Sequence, residues 1–195
     1  MGLFGRSNFI EIYDNALSKK ECDILIDQFE KSDSQQGGIG TFETYRTDND
    51  IKKCLQSAYQ ISDGSVVSLI VRNSLFDCID KYKEKYKILN ITPQRWQCDD
   101  YYNFQKYEDQ TDGFKAWHTE HGNTPITSKR IMVWMFYLNN AKSGTDFYNH
   151  PNVLAKKGRC VIWPAGWEYY HRSTPNKGLK YIVTGWISYL ESLSK

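Results

Sequence analysis

The stretch KRIMVWMFYLNN, residues 129–140, decides the fold class of this chain. It is rich in β-branched and aromatic side chains and ends in two asparagines, which is typical of a β-strand followed by a turn. Three further stretches have the same texture: RWQCDDYYNFQKY (95–107), GRCVIWP (158–164) and LKYIVTGWISYL (179–190). Strands that follow a helical first half predict an α+β domain, in which helices pack on one sheet of a sandwich or jelly roll.

The first half carries the helix signals. Ser18 to Glu21 has the pattern of a capping box, and apolar residues follow it at helical spacing at Cys22, Leu25, Ile26 and Phe29. A second amphipathic helix is predicted from Ser65 to Tyr86, with an apolar stripe of Val67, Ile70, Val71, Phe76, Ile79 and Tyr82. The polar, glycine-bearing segment 32–50 is predicted to be a loop, either a lid over a site or plain surface disorder.

Composition limits the classes of protein to which the chain can belong. Its 195 residues carry a formal net charge of +2, which gives no electrostatic argument for nucleic-acid binding. Five cysteines without CxxC spacing indicate reduced thiols. No run reaches transmembrane length and MGLFGRS lacks the apolar core of a signal peptide, so we expect a soluble, cytoplasmic protein, in the host cell if it is virally encoded.

No repeat or linker divides the chain. We therefore expect one domain over residues 1–195, helix-rich over 1–94 and with the jelly-roll core over 95–190.

Three polar residues stand in the otherwise apolar second half. Residues two apart on a strand share a face, so His118 and Glu120 of AWHTEHG are predicted to point to the same side, with Thr119 facing away. The turn Pro164-Ala165-Gly166 is predicted to lead into a short strand that ends at His171. Two imidazoles and one carboxylate on one face are the ligand set of non-haem iron(II), with positions left open, and the same set also suits catalytic zinc.

Each of these residues also has a plainer interpretation. His-x-Glu triplets arise by accident, and His171 alone would be read as a hydrogen-bonded surface histidine. The two remaining histidines are predicted to lie outside the site. His121 has the wrong strand parity, and His150 precedes a proline in a polar loop.

The order Tyr107, His118-Thr119-Glu120, His171 and Lys180 resembles the prolyl 4-hydroxylase-like branch of the iron(II)/2-oxoglutarate oxygenases. The chain is most similar to the small single-domain members encoded by marine bacteriophages, and the resemblance covers nearly its whole length. The spacing from His171 to Lys180 in GLKYIVTGW, with Trp186 beyond, makes the match specific.

The resemblance implies a distorted double-stranded β-helix that holds Fe(II) through His118, Glu120 and His171. It further implies that Lys180 binds the distal carboxylate of 2-oxoglutarate, with hydroxyl groups from Tyr107 and Thr184 nearby. The implied reaction uses O2 to hydroxylate a C–H bond, most often that of a prolyl residue in a peptide or protein, and releases succinate and CO2. Ascorbate is a further candidate cofactor.

Two departures from the family pattern bear on the site. Most prolyl hydroxylases carry Asp where this chain has Glu120, so we expect the backbone to accommodate the longer side chain. Phe136 stands where some relatives place a tyrosine against the cosubstrate. Two other functions remain open: a nucleic-acid dealkylase on the same fold, which would normally carry a more basic face, and a catalytically silent jelly-roll binding module.

Overall fold

The structure, a computed structural model, describes residues 8–40 and 45–190. MGLFGRS, on which the expectation of no signal peptide rests, lies outside the described residues. The helices are α1 (Lys19–Glu30) and α2 (Val66–Lys85). The strands are β1 (Glu11–Tyr13), β2 (Gln35–Gln36), β3 (Lys52–Lys53), β4 (Leu55–Gln60), β5 (Trp96–Cys98), β6 (Tyr101–Tyr107), β7 (Gly113–Phe114), β8 (Arg130–Tyr137), β9 (Gly144–Phe147), β10 (His150–Leu154), β11 (Arg159–Pro164), β12 (His171–Ser173) and β13 (Lys180–Tyr189).

Two sheets face each other across an apolar layer. The larger has the antiparallel order β1-β11-β8-β13-β6-β4-β2, with β5 paired to the end of β13. The smaller has the order β10-β9-β12, and β3 and β7 form a separate two-stranded ladder. Phe147 and Val153 of the smaller sheet are buried in the same cluster as Val161 and Ile182 of the larger one. The space between the sheets is therefore a packed core with a site at one end.

Strand alternation sorts the larger sheet into two faces. On β8, Trp134 and Phe136 belong to the apolar cluster that includes the helices, whereas Val133 and Tyr137 belong to the cluster between the sheets. The same alternation on β13 sends Val183 toward the helices and the even-numbered residues inward. The predicted α+β arrangement, with helices on one sheet, is confirmed.

Both predicted helices are present, and α1 has the predicted capping box. Ser18 and Glu21 form a capping box at the start of α1, and the side chain of Ser65 caps α2. The apolar stripe of α2 differs in one position, because Phe76 is 45% exposed while Leu75 is buried. At 3.6 residues per turn, Leu75 lies closer than Phe76 to the direction of Val71.

The first half contains more sheet than its sequence predicts. β2 lies inside the predicted loop 32–50, and β4 pairs along its whole length with β6 of the core. β4 is LQSAYQ, a polar strand with no buried residue, so it lacks the apolar alternation that marks a strand in sequence. The jelly-roll sheet thus begins before residue 95.

Two local expectations in the second half are wrong. A single-turn 3₁₀ helix, Trp167–Tyr169, occupies the segment predicted as a strand ending at His171, and His171 instead begins β12. His150 begins β10 rather than lying in a loop, with its ring stacked on Tyr169 at 5.1 Å between centroids.

All five cysteines are free, as predicted, and four of them are buried. None of the helices in the described ranges is long and apolar enough to cross a membrane.

The close contact between Gly185 of β13 and Trp134 of β8 predicts how a substitution at residue 185 changes the free energy of unfolding. A Cβ atom added at Gly185 would lie 2.4 Å from the Trp134 ring, so Gly185→Ala should destabilise the fold by about 1–3 kcal/mol through overpacking. Urea unfolding measures the effect. In a Trp134→Phe background the same substitution should cost less, because the contacting part of the indole is gone. Equal costs in both backgrounds would show that this contact does not limit residue 185.

Candidate metal centre and cosubstrate pocket

A mutual pair of backbone hydrogen bonds brings the two candidate histidine ligands together. The amide of His118 donates to the carbonyl of His171 at 3.0 Å, and the amide of His171 donates back at 2.9 Å. Thr119 turns away and donates its hydroxyl to the Ala165 carbonyl. His118 and Glu120 therefore share a face as predicted, although they lie in an isolated bridge rather than a regular strand.

The donor atoms of His118, Glu120 and His171 converge. All lie within 4.8 Å of one another, and the Oε1 atom of Glu120 is 3.7 Å from Nε2 of His118 and 3.8 Å from Nε2 of His171. Two imidazole nitrogens and a carboxylate oxygen at this spacing fit one divalent ion and leave its remaining positions open.

Hydrogen bonds hold both rings in the orientation that a metal requires. Nδ1 of His118 bonds the carbonyl of Ala116, and Nδ1 of His171 bonds the carbonyl of Tyr169, each at 2.9 Å. A carbonyl only accepts, so Nδ1 carries the proton in each ring and Nε2 keeps its lone pair toward the site. Phe114 stacks on the His118 ring at 3.5 Å between centroids and blocks rotation of that ring.

Glu120 is clamped by two side chains. Its Oε2 atom accepts a hydrogen bond from Nε1 of Trp186 at 2.8 Å and one from Nη1 of Arg130 at 3.1 Å. The Arg130 guanidinium itself lies over the Trp186 ring, 3.7 Å from its centroid. Oε2 is thus fully engaged while Oε1 faces the histidines. Arg130 and Trp186 thus hold the longer glutamate, and its accommodation by the backbone stays a prediction.

Arg130 was missed by the sequence reasoning. It is the first residue of a strand, where a charged side chain is common and does not indicate a site. Trp186 could have been predicted as a site residue. It lies an even number of residues from Lys180 and Thr184 on the same strand, so the three side chains share a face.

Electrostatics keep the donors in their metal-binding forms. Burial, and then the neighbouring His118, lower the pKa of His171 to about 3, so this imidazole stays neutral. Burial alone would raise the pKa of Glu120, but His118 and Arg130 outweigh it and hold that pKa well below its ordinary value. The carboxylate is therefore ionised at any physiological pH.

Lys180 lies in the same cavity as the three donors. It is 2% exposed, and its Nζ atom is 4.5 Å from the centroid of the Tyr107 ring, on the neighbouring strand β6. Within residues 8–40 and 45–190 it forms no ion pair with a carboxylate. A buried, uncompensated ammonium is costly unless it meets an anion.

Tyr107 and Thr184 also line the cavity, each with its hydroxyl proton already used. Tyr107 donates to Oε1 of Gln105 at 2.6 Å, and Thr184 donates to the carbonyl of Trp134 at 2.9 Å. Either hydroxyl would have to exchange its partner in order to donate to a ligand, so their cosubstrate roles stay predictions.

The cavity measures about 1060 Å³ and reaches from the donors to β4. Phe136 does not face it, because it packs on the helix side of β8. The next residue, Tyr137, lines the cavity and bonds Thr145 at 2.6 Å, and the sequence reasoning overlooked it. Neither His121 nor His150 is among the described residues that line the cavity, as predicted.

The Glu120 clamp yields a prediction that can be checked with metal alone. Trp186→Phe removes one of the two bonds to Oε2 and should weaken Mn(II) binding by about 10–100-fold, the usual effect of losing an outer partner. Isothermal titration measures the affinity. Trp167→Phe, at a tryptophan that is 73% exposed, is the matched control and should bind as the wild type does. Unchanged affinity in Trp186→Phe would show that Arg130 alone orients the carboxylate.

Comparison with known proteins finds a family match within the strand-rich half of the chain. Residues 102–188 match the family model described as the 2OG-Fe(II) oxygenase superfamily. No curated protein matches the chain in sequence.

Solved structures cover nearly the whole chain. A viral collagen prolyl hydroxylase from Paramecium Bursaria Chlorella virus-1, solved with 2OG, has a TM-score of 0.67 at 17% identity, over 97% of this chain and 100% of its own. A Trichoplax adhaerens prolyl hydroxylase in complex with a hypoxia inducible factor peptide has a TM-score of 0.70 at 14% identity, over 93% of this chain and 84% of its own. A Pseudomonas putida prolyl-4-hydroxylase has a TM-score of 0.68 at 12% identity, over 95% of each chain.

These TM-scores establish the fold, and at such low identities the substrate has to be argued from the site. The chain has the double-stranded β-helix fold of these prolyl hydroxylases, and its residues 102–188 match the family model of the 2OG-Fe(II) oxygenase superfamily.

Proposed function

We propose that this protein is an Fe(II)- and 2-oxoglutarate-dependent dioxygenase that hydroxylates a C–H bond, with release of succinate and CO2. The observation that carries the proposal is the convergence of His118, Glu120 and His171 in one cavity with the buried Lys180. The family model over residues 102–188 supports the same chemistry.

In this proposal the three converging donors hold the metal. Bound iron(II) would supply the activation of dioxygen, since three protein ligands leave three positions for cosubstrate and O2. The protein's own residues do the positioning: the Nδ1 bonds aim both imidazoles, and Arg130 with Trp186 directs Glu120. The packed surroundings of His171 exclude water from one side.

Lys180 is the proposed anchor for 2-oxoglutarate. Its ammonium would bond the distal carboxylate, and a charge-assisted bond in a dry cavity is strong. Tyr107 and Thr184 flank it and are proposed to contact the same carboxylate. A site for a dianion also explains why the fold tolerates this buried cation.

A prolyl residue in a peptide or protein is the proposed prime substrate. Three structurally similar proteins are described as prolyl hydroxylases, and one was solved with a peptide. The cavity is far larger than a five-carbon diacid requires, so it has room for a second ligand. The resemblance adds two narrower proposals, stimulation by ascorbate and an origin in a bacteriophage genome. A cytoplasmic location is proposed from the sequence features given above.

The activity is tested by incubating the protein with Fe(II), 2-oxoglutarate and O2, with and without proline-containing peptides. We expect succinate that depends on added iron, and peptide products heavier by one oxygen in mass spectrometry. Glu120→Ala removes a metal ligand and should reduce succinate to the level without iron. Glu84→Ala, an exposed carboxylate on α2, should leave it unchanged.

The outcomes separate the competing functions. A silent binding module would form no succinate under any of these conditions. Oxidation of an added alkylated oligonucleotide, rather than of peptides, would favour the dealkylase.

The proposed anchor predicts a pH dependence of cosubstrate binding. Burial lowers the pKa of Lys180 to about 8, from its ordinary value above 10. Below pH 8 the lysine is already charged, so the Kd for 2-oxoglutarate should be constant. Above it the neutral amine must take up a proton to hold the dianion, and the Kd should rise by about tenfold per pH unit.

Titration of the Mn(II)-loaded protein with 2-oxoglutarate measures this dependence. Lys180→Arg keeps the charge at high pH, so its profile should be flat between about pH 7 and 10. A wild-type profile that is equally flat would remove Lys180 from the cosubstrate site.

A further inference from the structure

A second buried lysine lines the same cavity, and the proposed reaction gives it no role. Lys52, on β3, is 5% exposed. Its Nζ atom lies 5.7 Å from the centroid of Phe114, the ring that stacks on the candidate ligand His118. Lys52 is therefore close to the metal centre, on the side opened by β3 and β4.

The partners of Lys52 do not balance its charge. Nζ donates to Oε1 of Gln56 at 2.8 Å and to the carbonyl of Gly38 at 3.1 Å, and both acceptors are neutral. No carboxylate in the described part of the chain forms an ion pair with it. Glu120 is near enough for its charge to act on Lys52, but both atoms of that carboxylate are already directed to Arg130, Trp186 and the histidines.

A cofactor does not resolve the imbalance. The proposed iron(II) and 2-oxoglutarate carry equal and opposite charges, and Lys180 already faces the distal carboxylate. Among residues 8–40 and 45–190, the loaded site would therefore still leave the buried charge of Lys52 without a carboxylate partner, which is costly for a fold to retain without a ligand.

Two glutamines link Lys52 to Tyr107, the neighbour of Lys180. Lys52 and the side-chain amide of Gln105 both donate to Oε1 of Gln56, and the hydroxyl of Tyr107 donates to Oε1 of Gln105. Lys52 and Lys180 both line the cavity that the metal donors face.

We propose that Lys52 binds a carboxylate of the prime substrate while the three donors hold iron and Lys180 holds 2-oxoglutarate. This assignment rests on the proposed function and narrows its substrate to an acidic one. Gln56 and Gly38 use two of the three ammonium protons, so one remains to donate to a carboxylate oxygen of the substrate. The carboxylate is either an acidic side chain beside the target residue of a peptide or the α-carboxylate of a free amino acid.

The test uses synthetic peptides with one central proline, in which Glu is placed in turn at each of the three positions on either side. A matched set carries Gln instead. A second arm compares free L-proline with its amide. Oxygen incorporation is followed by mass spectrometry and succinate formation by coupled assay. For the wild type we expect kcat/KM to be at least about tenfold higher for the best acidic substrate than for its neutral partner.

Variants assign that preference to one side chain. Lys52→Gln should bring the acidic-to-neutral ratio of kcat/KM to about one, and the change should appear in KM. Lys52→Glu should reverse the preference toward peptides with Lys in place of Glu. Lys115→Gln, at an exposed lysine of the adjoining segment, should keep the wild-type ratio.

The outcomes are decisive in either direction. No acid preference in the wild type, a comparison that needs no variant, overturns the assignment. So does a preference that persists in Lys52→Gln, or oxidation of neither set while 2-oxoglutarate is consumed. Absence of any 2-oxoglutarate turnover would instead overturn the proposed function, and the substrate assignment with it.

Discussion

The site depends on one backbone pairing, in which His118 and His171 exchange amide hydrogen bonds. This pairing joins an irregular segment to the start of β12 and places two imidazoles side by side, with ring centroids 4.3 Å apart. The carbonyls two residues before each histidine then receive its Nδ1 proton. The main chain thus sets the tautomer of both rings and aims them, Phe114 packs against the His118 ring, and Arg130 and Trp186 position the carboxylate.

The larger sheet contributes through its strict alternation. One face of β8 and β13 packs against the helices, and the other presents polar groups to the cavity. Because the side-chain period is two, Lys180, Thr184 and Trp186 must emerge together, and a shift of register by one residue would bury all three under the helices. The Gly185–Trp134 contact lies on the helix face and so couples helix packing to the placement of the neighbouring site residues.

Much of this arrangement could be predicted from the sequence. The helices have clear caps and stripes, the core strands are apolar, and His118, Glu120 and His171 are few enough to stand out. β4 could not be predicted, because a polar strand that covers a cavity has no periodic signal. Arg130, Lys52 and Tyr137 escaped for a related reason. Their importance comes from the buried groups that they contact, and a local sequence pattern does not show which distant segments come into contact.

The small β3–β7 ladder has a mechanical consequence. Two residue pairs, Lys52 with Phe114 and Lys53 with Gly113, connect β3 to β7, whose Phe114 ring lies against His118. Such a short ladder yields more easily than the long strands of the sheet. A displacement of β3 would therefore reach the His118 imidazole through a single phenyl group.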